Sequence, residues 1–207
     1  MRSRFLVLST VLATVTLGAL AQERIKPKAA GDYDSVYAAI NEHWKAGHWG
    51  KCHASARELL ALISKRRGVE IRKAMPVPAG LVADPVAEAD PQAAAMMAAF
   101  SASVGNVIEQ TWRGGDKEVH ITVTTDSPML QMFRMIVQNP AMLQPNQELV
   151  KYAECQAVLE TDGGQVTLRF LLDESLVEGN FQGYDADGAL KVFDQSAVTK
   201  LYTAITN

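Results

Sequence analysis

The chain has 207 residues, 48% of them hydrophobic and 21% charged, with a formal net charge of −3 at pH 7. That is enough to bury a real core in one domain of ordinary size. The mildly acidic whole offers no general attraction to nucleic acid or anionic lipid. No Gly-x-Ser-x-Gly, phosphate loop, dinucleotide fingerprint or His-Glu-x-x-His run occurs, so the commonest hydrolase, nucleotide and metalloprotease signatures are missing.

Residues 1–21 read as a secretory signal peptide: Arg2 and Arg4, an apolar run from Phe5 to Leu20, and Ala19-Leu20-Ala21 before Gln22. The run falls short of the ~20 residues a spanning helix needs and is diluted by Ser9, Thr10, Thr14 and Thr16. The first cysteine is Cys52, so no lipidation site follows the cleaved bond. The expected product starts at Gln22, is periplasmic or secreted, and has no stable membrane anchor. Losing Arg2 and Arg4 takes Lys+Arg from 20 to 18 against 23 Asp+Glu, a net charge of −5.

After a polar spacer (22–31), Tyr33, Val36, Tyr37, Ile40 and Trp44 recur on one helical face, with Asp32 as N-cap. Ala46-Gly47-His48 makes a tight turn. A second stripe follows at Trp49, Cys52, Ala56, Leu59, Leu60 and Ile63, with Lys65-Arg66-Arg67 expected in its last turn, where cations suit a helix C-terminus. So short a connection makes the helices antiparallel. The hairpin resembles one tetratricopeptide unit, but such arrays need about three units to share a core, so it is expected to dock on its own domain. The spacer and hairpin occupy 22–74.

Pro76, Pro78, Gly80, Pro85 and Pro91, interspersed with Asp84, Glu88 and Asp90, mark a linker over 75–92. The α+β sheet domain follows over 93–207. It opens on an Ala- and Met-rich helix at 93–100. Val107–Trp112 and Glu118–Thr124 then flank Arg113-Gly114-Gly115-Asp116, a hairpin signal. Asp126 or Ser127 caps a helix through Leu130, Phe133, Ile136 and Val137 that Asn139-Pro140 stops. Three strands are expected at Leu149–Glu160, Gln165–Leu172 and Leu176–Tyr184. A last helix, capped by Asp185 or Asp187, carries Leu190, Phe193, Ala197, Leu201 and Ile205. The fold class is therefore α+β: a helical hairpin followed by a mainly antiparallel sheet in the order ββαβββα, covered by helices.

Three segments together resemble an exported bacterial family with no assigned activity. They are the hairpin ending in Lys65-Arg66-Arg67, the element Met75-Pro76-Val77-Pro78-Ala79-Gly80, and Val123-Thr124-Thr125-Asp126-Ser127-Pro128-Met129-Leu130-Gln131 running into Asn139-Pro140. The resemblance implies a two-part architecture and supplies no catalytic residues.

Several residue sets point to chemistry. Cys52 and Cys155, an even pair in an oxidising compartment, are the candidate disulfide; two separate buried thiols are the alternative. His43, His48 and His53, beside Cys52, offer nitrogen and sulfur ligands for Zn or Cu, against exposed turn histidines around a packed cysteine. Met129, Met132 and Met135, with Met96, Met97 and Met142, suit Cu(I), an apolar core or an adaptable groove. Asp185-Ala186-Asp187-Gly188 and Asp194 imitate part of a calcium loop, but helix capping accounts for them. His120 with Glu118 would serve as a general base and its orienter in an unrecognised hydrolase, or as an exposed strand histidine.

The reading these sets favour is an exported, non-enzymatic binding or protein-interaction module. It needs no cofactor, and its partner is an unknown protein or small ligand, not nucleic acid. Recognition is expected between hairpin and sheet, with Trp112 and His120 on the surface and Trp44, Trp49 and Trp112 as candidate aromatic anchors; Trp44 and Trp49 are expected to pack in the core. A Cu- or Zn-binding protein and an unrecognised hydrolase are the alternatives.

Overall fold

The computed structural model describes residues 32–85, 105–153 and 155–206. The expected signal peptide, the spacer after it and the helix at 93–100 lie outside the described residues. Helices α1 (Asp32–Lys45) and α2 (Trp49–Ala74) come first, joined by a turn in which Gly47 takes φ 69°. The chain divides into two compact units between Ile63 and Ser64, inside α2.

In the first unit, Val36 and Leu59 are buried, the Tyr33 hydroxyl donates to the Leu62 carbonyl at 2.8 Å, and the Cys52 thiol donates to the Ile40 carbonyl at 3.8 Å. Buried apolar side chains and side-chain bonds to backbone thus both join the helical pair. No disulfide pair is seen, contrary to expectation: Cys52 is turned onto α1 within the hairpin unit, and Cys155 opens a strand of the other unit.

α2 runs past the expected end because nothing breaks it before Pro76 and its apolar spacing continues at Ile71 and Met75, both core residues. Lys65-Arg66-Arg67 therefore lies in mid-helix. Arg67 donates to the Ile205 carbonyl at 2.9 Å and meets Asp126 at 3.4 Å, while Arg66 pairs with Glu70.

The second unit holds β1 (Val82–Ala83), β2 (Asn106–Gly114), β3 (Lys117–Thr125), α3 (Leu130–Gln138), a 3-10 turn at Pro140–Met142, β4 (Gln147–Tyr152), β5 (Cys155–Asp162), β6 (Gln165–Leu172), β7 (Ser175–Gln182), α4 (Ala186–Val192) and α5 (Gln195–Thr206). Its seven strands form one sheet in the order β1-β2-β3-β7-β6-β5-β4, every neighbouring pair antiparallel. The chain crosses from β3 to the far edge at β4 and returns as a meander, so that β7 closes beside β3. β1, within the segment read as a linker, pairs with β2 through Val82 and Ala83.

Two elements split where single ones were expected. Leu149–Glu160 is a hairpin, β4 and β5, turning at Ala153, whose φ of 45° is unusual for a residue with a Cβ. The final helix breaks at Phe193, and Asp194 starts α5 by accepting the Ala197 N–H at 2.7 Å.

Strand alternation puts Val119, Ile121 and Val123 on one face with Phe181, Leu168 and Leu159 of the neighbouring strands, all buried. Ile71 of α2 and Met75 just past its end, Phe193 at the C-cap of α4, and Leu201 and Ile205 of α5 join this core. Leu130 and Phe133 of α3 are buried too but stand outside it, as does Val158, which register places on the opposite face of the sheet. α3 lies against β5.

Candidate functional site

The side chains that alternate away from the core form a polar face. One row crosses six strands in register: Thr111, His120, Asn180, Thr167, Glu160 and Gln147. The next row is Glu109, Thr122, Glu178, Arg169, Val158 and Leu149. Hydrogen bonds link the rows. Thr167 donates to the Asn180 amide oxygen at 2.8 Å, Asn180 donates to Glu178 at 2.9 Å, and Arg169 bridges Glu178 at 2.5 Å and Glu160 at 2.7 Å. Gln147 donates to the same Glu160 oxygen at 2.8 Å. Cross-strand polar pairs of this kind stabilise a sheet and fix its register.

His120 sits in this face with both ring nitrogens engaged: Nδ1 lies 2.8 Å from the Thr111 hydroxyl and Nε2 3.2 Å from that of Thr122. The carboxylate nearest Nε2 is Glu109, at 3.8 Å. Glu118, the expected orienter, is instead bound to Arg113 at 2.8 Å, and that hydrogen bond holds its carboxyl below the usual range. Arg113 also pairs with Asp84 beside the edge strand β1.

A hydroxyl 2.8 Å from an imidazole has the spacing of a nucleophile and its base. Catalysis also needs donors aimed at a developing oxyanion; β3 is laddered on both sides, while β2 meets β1 only at Trp112 and Arg113. The arrangement also ties β2 to β3 through side chains on the same register pair. Thr111 was missed in the sequence, yet it was legible there: a two-residue turn at Gly115-Asp116 sets Thr111 opposite His120.

The bridge at Arg169 has a pH signature. Hydrogen bonds from Gln147 and then Arg169 hold the Glu160 carboxyl below its ordinary value of 4.5. A carboxyl depressed in the folded state contributes stability above its unfolded pKa, and that contribution disappears as pH falls through the folded value. Glu160→Gln should therefore be less stable than the parent at pH 7, with the gap closing below about pH 4. Urea titrations across pH 3–7 check this; a gap that widens in acid would refute the assignment.

The aromatic anchors are not where expected. Trp112 is 2% exposed and belongs to the core, so it is no surface residue: register pairs it with Val119 on the buried face. Trp44 and Trp49 are the reverse, 61% and 60% exposed, because they flank the α1–α2 turn, beyond the last layer of hairpin packing. Their rings meet edge to face, centroids 4.9 Å apart at 87°. Every residue from Trp44 to Lys51 is exposed, and a Cβ added at Gly47 or Gly50 would meet nothing within 4 Å.

His43 and His48 come together at the same tip, ring centroids 6.3 Å apart, and His53 is exposed on the first turns of α2. Among the described residues, no group of three His, Cys, Asp or Glu side chains is placed to hold a metal ion. Met129, Met132, Met135 and Met142 are about half exposed, so they fill no core; on α3 it is Leu130 and Phe133 that turn inward. Asp185 and Asp194 are helix caps, accepting the N–H groups of Gly188 and Ala197, both at 2.7 Å. No helix among the described residues is long and apolar enough to cross a membrane. No protein family, curated protein or solved structure matches the chain.

Proposed function

We propose that this protein is an exported, non-enzymatic interaction module that meets its partner through the tip of its helical hairpin. The observation that carries the reading is the Trp44–Trp49 pair, two indoles each about 60% exposed that meet edge to face at a turn. Two neighbouring exposed tryptophans forgo much of the transfer free energy their burial would give, and tryptophan is the residue type most enriched among interfacial hot spots. Isolated exposed apolar residues need no explanation, but an aromatic pair with no apolar cover does. The polar sheet face supports the non-enzymatic part, because its charges are already answered by one another.

Site-specific photo-crosslinking in the exporting cell tests this. A photoreactive residue at Ala46 is expected to give adducts that vanish when Trp44 and Trp49 are both alanine, while one at the exposed Gln156 of β5 gives none. Adducts at Gln156 alone, or none at either position, would overturn the reading. Export is checked by the mass of the protein recovered outside the cytoplasm, expected to begin at Gln22.

A further inference from the structure

We infer that the partner of the hairpin tip is an anionic lipid surface, on which the Trp44–Trp49 pair settles as a shallow interfacial anchor; this rests on the reading of the tip as the interaction site. Three observations carry it. Both indoles are exposed at the turn between α1 and α2, where a Cβ added at Gly47 or Gly50 would meet nothing within 4 Å, so the rings are open to a soft surface. The rings are amphipathic, and tryptophan collects where headgroups meet acyl chains because its apolar body and its N–H find different partners there.

Charge supplies the third. Between Glu42 and Glu58 the chain carries Lys45, Lys51 and Arg57, three positive charges with no negative one among them. A chain with net charge −3 thus presents a locally cationic tip around its exposed aromatics. Lysines next to inserted aromatics reach the phosphates on their flexible stems, each contributing about fivefold in affinity for an anionic bilayer. Attachment of this kind is peripheral and reversible. An acidic protein surface would satisfy the same charges, but aromatic anchors in protein interfaces work by filling pockets, and two indoles exposed side by side at a turn favour the deformable surface.

The mature full-length protein is mixed with vesicles of phosphatidylcholine alone or with phosphatidylglycerol, and bound protein is separated by sedimentation. Binding is expected only to the anionic vesicles, weakening as salt is raised. The chain has three tryptophans, of which Trp112 is buried, so a blue shift and protection from aqueous quenchers would report Trp44 and Trp49. Trp44→Ala with Trp49→Ala, and separately Lys45→Glu with Lys51→Glu, should each lower the partition coefficient about tenfold or more. Unchanged circular dichroism would show that these exposed positions leave the fold intact.

Equal partition onto neutral vesicles, or no partition at all, would overturn the lipid assignment. If vesicles fail but Ala46 still crosslinks a protein in a Trp44- and Trp49-dependent way, the tip remains the interaction site and only the lipid partner is wrong. Tryptophan-dependent self-association seen by sedimentation velocity, without vesicle binding, would overturn it in favour of a second copy of the chain. Failure of both vesicle binding and crosslinking removes the tip as a site.

Discussion

Trp112→Ala is expected to lower the free energy of unfolding by about 3–5 kcal/mol, the range for removing a large aromatic side chain from a packed core. Trp112 is 2% exposed and sits in register with Val119, itself fully buried, so its loss opens a cavity that sheet backbone on either side cannot collapse to fill. The same substitution at Trp44 or Trp49 removes a side chain about 60% exposed, together with one edge-to-face contact, and should cost no more than about 1 kcal/mol. Urea unfolding of the three variants makes the comparison. Equal losses at all three would mean that the hairpin tip is buried in solution and would remove the basis for treating it as a recognition surface.

Gly179→Ala is the second large effect. Gly179 lies mid-sheet on β7, paired with Ile121 and Leu168, and an added Cβ would stand 2.7 Å from the Phe181 ring and 2.8 Å from the Phe193 ring. Both rings are fully buried and meet edge to face, centroids 6.1 Å apart, so neither can swing aside. Overpacking of this kind costs about 1–3 kcal/mol, against which the ordinary gain from replacing a glycine, about 0.4–1 kcal/mol, is too small. Gly50→Ala is the control: on exposed helix with open space around it, it should stabilise by roughly 0.5–1 kcal/mol. A neutral or stabilising Gly179→Ala would show that the ring cluster is looser than its geometry implies.

Gly179 also shows how partial the sequence signal was. A glycine inside a strand pattern signals close approach of something, but Phe193 arrives from another element and cannot be read from β7. The β2–β3 and β5–β6 hairpins were legible because Gly115 and the Gly163-Gly164 pair adopt positive φ where turns require it. The β4–β5 hairpin was not, because Ala153 takes the same region without a glycine to announce it, and Leu149–Glu160 reads as one long strand. Asp194 was visible as a cap residue, yet the apolar spacing ran straight through it from Leu190 to Ala197, and only the N–H it accepts reveals the break.

The site divides in the same way. His120 was found because a histidine alternating with valines stands out on a strand; its partners Thr111 and Thr122 follow from register and are polar in the ordinary manner of an exposed face. Arg169, Glu160 and Glu178 gave no signal at all, since they lie on three strands and are joined only when the meander folds.

What the sequence by itself determined is the α+β class, the helical hairpin and the alternation that gives the sheet one apolar and one polar face, because these depend on periodicity within single elements. The tertiary structure decided which tryptophans are core and which are surface, that no disulfide joins Cys52 to Cys155, and that β7 lies between β3 and β6. Periodicity says that an indole lies on an apolar stripe. Whether the stripe has another element above it at that level depends on where the partner helix ends, and at Trp44 and Trp49 both helices reach their turn before either ring is covered.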